Sequence, residues 1–163
     1  MAFNMVQHLS APDRVRAALS VAGVAPRIRE FGVSTRTAQE AADAIGTSVG
    51  QIVKSLVFMA GDAPVLALVS GANQLDLARL GASTGTAISR ADANAVRQAT
   101  GFAIGGVPPL GFAAPVPTYI DRDLLQYDLV WAAAGTPRHV FPITPTELQR
   151  VTGGTVVDLK ETS

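Results

Sequence analysis

QIVKSLVFMAGDAPVLALVS, residues 51–70, reads as two strands, QIVKSLVFM and PVLALVS, folded back on each other through AGDA. Both runs are rich in Val, Leu, Ile and Phe and are of strand length, and the connector supplies a glycine for the turn. A hairpin here interrupts the strand–helix–strand alternation on which a doubly wound parallel sheet depends. Working outward, the flanks carry helix signals. Ser10 with Asp13 reads as a capping box, and Val15, Ala18, Leu19 and Ala22 recur at helical spacing until Gly23. Thr37 with Glu40 opens AQEAADAI before Gly46; Thr144, Pro145 and Glu147 open a further helix before Gly153. Asp92 or Ser89 caps a helix running through Arg97 and closed by Gly101. TYID, LVWAAA, HVFPI and TVVDL complete the strands. The expectation is one α+β domain over residues 1–163 with a mixed sheet, a length that leaves no room for a second core.

Composition narrows the function. Thirteen basic residues balance thirteen acidic ones, which removes the electrostatic footprint of a protein gripping long nucleic acid, so duplex DNA is not an expected partner. No apolar run approaches the roughly 18 residues of a membrane span, and MAFNMVQHLSAPDRVRAAL lacks the layout of an export signal. The expected location is the cytoplasm, without a membrane partner. With no cysteine, a thiol nucleophile and thiolate metal ligands are excluded. The only histidines are His8 and His139, and no spacing of ligands suggests a metal; no cofactor is expected. G-x-S-x-G, H-E-x-x-H and phosphate-loop motifs are also absent.

Two features carry chemistry. Lys54 sits between Ile52, Val53, Leu56, Val57 and Phe58, so its ammonium lies beside core-like positions. Such a lysine snorkels to water, meets a carboxylate, or lines a pocket where an anion or polarised carbonyl completes it. The second feature is GFAIGGVPPLGF, residues 101–112, with four glycines, a Pro-Pro pair and no charge. Adjacent Gly105 and Gly106 can turn bare N–H groups towards a ligand, and Pro108-Pro109 holds the adjoining chain extended; a tight turn between buried strands explains the same residues.

TAQEAADAIG, QIVKSLVF, VSGANQLDLARL, TGFAIGGVPPLGF and AAAGTPRHVFPITPTEL, in this order and spacing, resemble the YbaK family, related to the editing domain inserted in bacterial prolyl-tRNA synthetases. The resemblance runs from about residue 10 to residue 160. It implies a mixed, barrel-like sheet surrounded by helices and a freestanding deacylase that hydrolyses the ester of mischarged tRNA. The implied substrate is tRNA-Pro carrying a smaller wrong amino acid. By motif, Lys54 matches the family lysine near the ligand's carbonyl or terminal phosphate. Gly105 and Gly106, with Val107 to Pro109, match the G-G-x-x-P loop that approaches the terminal adenosine and the ester, with Phe102 and Phe112 anchoring it. Gly135 and Thr136 match a pocket wall. Some relatives carry a serine where Ala133, Ala134 and Gly135 stand here, so the TPRH form resembles the subgroup associated with alanine rather than cysteine.

On this reading N–H groups around Gly105 and Gly106 face the oxyanion, Lys54 adds positive charge, and water or the substrate's own hydroxyl handles the proton. His139 is a candidate substrate contact or general base, or an ordinary strand histidine. Thr136 binds substrate or caps a turn. Asp76 reads as a helix N-cap and Trp131 as core. Arg36, Arg90, Arg97 and Arg138 are candidates for phosphate contacts. The expected partner is the acceptor end of aminoacyl-tRNA, held with help from prolyl-tRNA synthetase or an elongation factor. A catalytically silent module that binds aminoacyl-tRNA ends is the alternative.

Overall fold

The helices begin where short polar side chains can accept the first free N–H groups. In the computed structural model, which describes residues 9–162, α1 (Ala11–Val21) is capped by Ser10, whose hydroxyl accepts from Asp13 N at 3.2 Å. Thr37 caps α2 (Ala38–Ile45) through Glu40 N at 3.1 Å, and Gly46 closes it at φ 87°. Asp76 caps α3 (Leu77–Thr84), accepting from Ala78 N and Arg79 N. Of the two candidates for the next helix, Asp92 is the cap of α4 (Ala93–Thr100), and Ser89 lies in a strand. Thr144 caps α5 (Pro145–Thr152). His8 lies outside the described residues.

The hairpin is present as β2 (Ile52–Ala60) and β3 (Ala63–Ser70), antiparallel from Ala60↔Ala63 to Val53↔Ser70. Its turn is the pair Gly61-Asp62, one residue tighter at each end than AGDA suggests. Around it stand β1 (Arg29–Glu30), β4 (Ile88–Arg90), β5 (Thr118–Asp121), β6 (Val130–Ala133), β7 (His139–Ile143) and β8 (Thr155–Val157). The eight strands form one sheet in the order β1-β7-β6-β2-β3-β5-β8, with β4 branching from β2. β2–β6, β3–β5 and β5–β8 are parallel and the other pairs antiparallel, so the sheet is mixed. β1 and β4 add to the strands expected from sequence; two or three residues, mostly exposed, carry no periodic signal.

Alternation along the hairpin explains why both of its faces are apolar. Val53, Val57, Leu66 and Leu68 enter the main core with Ile120, Leu124 and Phe141. Leu56, Phe58, Val65, Ala67 and Val69 instead pack with Leu80 and Leu159 on the opposite face. Truncating a side chain such as Leu68, which is fully buried, costs about 2–5 kcal/mol.

One irregularity in this sheet positions the site. On the edge of β2 away from β3, β6 pairs only with Ile52 and Val53, and β4 only with Phe58 to Ala60. Between them, Lys54 to Val57 have no strand partner on that side among the described residues.

Candidate active site

The unpaired stretch of β2 opens into a cavity of about 480 Å³. Its walls come from β2, the start of α2, β6, and the loops around residues 104–107 and 136–140. Volumes of this order are typical of small-molecule sites. Among the described residues no group of three or more His, Asp or Glu is placed to hold a metal ion, and no helix is long and apolar enough to cross a membrane.

Lys54 lines the cavity and does not snorkel freely. Its Nζ donates to the main-chain carbonyl of Asn73. Burial holds its pKa below the usual lysine value, and the Asp121 carboxylate offsets part of that. Asp121 is itself 1% exposed and fully engaged: it accepts from Ser70 N, Asn73 Nδ2 and Asp123 N. The ammonium is therefore half-desolvated, oriented by a neutral carbonyl, and free to direct its remaining hydrogens to a ligand.

The glycine loop divides its tasks. Gly105, at φ 96°, lines the cavity, and among the described residues its N–H has no main-chain partner. Gly106 does not share that role, which corrects the expectation that both glycines offer outward donors. Its N–H donates to Ala103 O at 3.1 Å, and a Cβ there would stand 2.5 Å from Gly135 O and 2.6 Å from Thr136 Cα. Gly106 is needed for close packing of two loops rather than for approach of substrate. Val107 reaches the cavity wall, whereas Pro108 is buried behind it. Phe102, 2% exposed, meets Phe112 edge-on at 6.3 Å and lies under the Arg14 guanidinium at 4.3 Å. Arg14 Nη1 also donates to Gly101 O at 2.9 Å, so the loop is anchored as expected, with α1 adding a cationic clamp that the sequence did not advertise.

Gly135 lies behind the wall, not on it. At φ 99° it packs on α1, where a Cβ would come within 2.7 Å of the Ala11 carbonyl carbon. Thr136 and His139 do line the cavity. Thr136 Oγ1 accepts from Arg138 N at 3.1 Å and lies 2.5 Å from His139 Nδ1. With the hydroxyl proton directed at Nδ1, the ring carries its hydrogen on Nε2, which is 3.7 Å from Glu30. Both ring nitrogens thus have a neighbour, Thr136 Oγ1 at Nδ1 and the Glu30 carboxylate at Nε2.

One wall residue escaped the sequence reading. Trp131, expected in the core, is half-buried, packs against the Ala41–Ala42–Ile52 cluster and presents a face to the cavity. Ser55 lines it from β2 beside Lys54. Of the four arginines considered for phosphates, Arg36 lines the cavity, while Arg90, Arg97 and Arg138 each adjoin a lining residue. Among the described residues none of the four is ion-paired.

The model of the aminoacyl-tRNA editing domain matches residues 33–151, a span that contains β2, the glycine loop and the 136–140 wall. The chain belongs to the aminoacyl-tRNA editing domain family. The editing domain is 34% identical over 122 residues to the uncharacterized protein YwhH of Bacillus subtilis (strain 168), covering 74% of this chain and 78% of that one. It is 26% identical over 125 residues to EbsC of Enterococcus faecalis (strain ATCC 700802 / V583), provisionally named a Cys-tRNA(Pro)/Cys-tRNA(Cys) deacylase, with 76% of each covered. A crystal structure provisionally described as a trans-editing enzyme for prolyl tRNA synthetase superposes with a TM-score of 0.90 at 51% identity, over 94% of this chain and 99% of the other.

Proposed function

We propose that this editing domain hydrolyses, in trans, the ester bond of mischarged tRNA, and that its substrate is tRNA-Pro carrying a small noncognate amino acid such as alanine. The observation that carries the reading is that Lys54 and Gly105, whose N–H is unpartnered among the described residues, line one cavity with alanine walls at Ala38, Ala41, Ala132 and Ala133. An aminoacyl ester is already activated, so a site that positions water and stabilises the developing oxyanion with preorganised donors supplies several kcal/mol without a covalent intermediate. Lys54 and Gly105 are those donors. Water, or the neighbouring ribose hydroxyl, carries the proton, since His139 is committed to Thr136. Alanine walls favour a small side chain by steric exclusion of larger ones. The names of EbsC and of the similar crystal structure support the same class of chemistry.

The partner is the acceptor end of the tRNA, with Arg36 and its three unpaired neighbours meeting phosphates; prolyl-tRNA synthetase or an elongation factor supplies the remaining grip. Release of labelled amino acid from tRNA-Pro charged separately with alanine, cysteine, serine and proline tests this. Rapid release of alanine, sparing of proline and loss of activity in Lys54→Ala are expected. If the protein binds charged tRNA but releases none of the four, it is a silent binding module for these substrates.

A further inference from the structure

Ser55 lines the cavity and carries a polar side chain into a buried position. Its Oγ is buried and, among the described residues, has no hydrogen-bond partner. It lies on β2 between Val53 and Val57, two positions that pack into the main core. Buried hydroxyls are nearly always paired, and one that is not calls for a partner from outside the chain.

The main chain of the same residue points the same way. Ala60 and Ala63 close the two-residue hairpin, so even-numbered residues of β2 turn their N–H and C=O groups to β3. The 2.7 Å bond from Gly71 N to Ile52 O agrees with that phase. Odd-numbered residues face the other edge, and Ser55 falls in the stretch that neither β4 nor β6 pairs. The same residue lines the cavity, so its hydroxyl and its main-chain carbonyl belong to one wall position.

Donor and acceptor types then select the ligand group. Lys54 Nζ and Gly105 N–H are donors and suit the ester oxygens. A small aminoacyl group has one other polar group, the α-amino group, which is a donor and needs acceptors. Among the described residues no Asp or Glu lines the cavity. Of its three threonines, Thr37 Oγ1 already accepts from Glu40 N and Thr136 Oγ1 from Arg138 N, while Thr35 Oγ1 is held by its bond to Pro137 O. We infer that Ser55, through Oγ and its main-chain carbonyl, receives the α-amino group of the bound aminoacyl ester and is a substrate-positioning residue of this site. The inference rests on the deacylase reading for the identity of the ligand.

The test compares wild type with Ser55→Ala using two non-hydrolysable probes, adenosine bearing a 3′-amide-linked alanyl group and the propionyl analogue that lacks only its amino group. Wild type binds the alanyl probe about tenfold more tightly, and Ser55→Ala binds the two alike. The melting temperature of the variant is unchanged or raised, because no bond of the free protein is lost. Deacylation of alanyl-tRNA falls about tenfold in parallel. An undiminished preference in Ser55→Ala, or no preference in wild type, overturns the assignment; so does a fall in melting temperature that accounts for the lost binding. Probe discrimination that depends on Ser55 in a protein that releases no amino acid removes the deacylase reading and leaves the Ser55 assignment standing.

Discussion

The Lys54 ammonium is aimed by the main-chain carbonyl of Asn73, and the Asn73 amide in turn donates to Asp121 Oδ2 at 2.8 Å and Asp123 Oδ2 at 2.9 Å. Asp121 is buried and Asp123 is further held by Lys160 at 3.2 Å. A single asparagine thus ties the cation of the site to a carboxylate pair on the far side of β3.

Asn73→Ala removes both amide bonds and leaves a buried carboxylate with fewer donors. The expected loss is about 2–3 kcal/mol, read from urea denaturation. Turnover falls further than that instability explains, because the carbonyl that orients Lys54 shifts with the loop. A variant that is destabilised yet turns over normally would show that Asn73 does not position the lysine.

The lowered pKa of Lys54 has a signed consequence. The native state releases this proton at lower pH than the unfolded chain does, so between the two pKa values the unfolded chain binds more protons and stability rises with pH. The window lies on the alkaline side, below and up to the ordinary lysine value of about 10.4. Lys54→Met removes that increment, and the difference between the two stability–pH curves isolates it. Parallel curves would contradict the desolvated setting.

Gly105 and Gly106 respond differently to the same methyl group. Gly105→Ala strains a positive φ but meets only Pro137 Cγ at 3.4 Å, whereas Gly106→Ala drives a carbon into the Gly135–Thr136 backbone. Gly105→Ala is expected to cost about 1 kcal/mol, in line with the usual penalty for placing a side chain in that region. Gly106→Ala costs more and displaces the 136–140 wall, so its melting temperature falls further and its substrate selectivity loosens. Equal melting temperatures would sink this division of labour.

His139→Ala leaves deacylation within about tenfold of wild type, far from the 10²–10³-fold loss typical when an oxyanion donor is removed, which is the scale expected for Lys54→Ala. Thr136→Val, which breaks the same network from the other end, has an effect of similar size. A loss for His139→Ala as deep as that for Lys54→Ala would make the imidazole a base after all.

Arg36 at the cavity mouth is tested by salt. Replacing it with alanine weakens binding of charged tRNA and lowers the slope of log affinity against log salt by roughly 0.7, the value for one phosphate of a single strand. An unchanged slope assigns the contact to other arginines.

Much of this is legible in the amino-acid order alone. The helix caps at Ser10, Thr37 and Thr144 are readable because capping is local: one side chain and an N–H three residues on. Lys54 stands out because a charge amid Val and Phe is costly. The features that stay hidden depend on contacts between distant segments. Gly106 carries the same local signal as Gly105, and only the approach of Gly135 separates their roles. Ser55 looks like any polar residue in a strand until the ends of β4 and β6 are known.

The interrupted edge of β2 means that the width of the binding site is set in units of ladder rungs. Four residues without a partner span about 13 Å at the usual strand rise. Lengthening β4 or β6 by one hydrogen-bonded pair would zip up two of them and narrow the opening by roughly 7 Å. Such a change leaves the main core untouched, so a lineage could retune which ligands enter by trading residues between a short strand and the loop beside it, while Leu66, Leu68 and Phe141 keep the same neighbours.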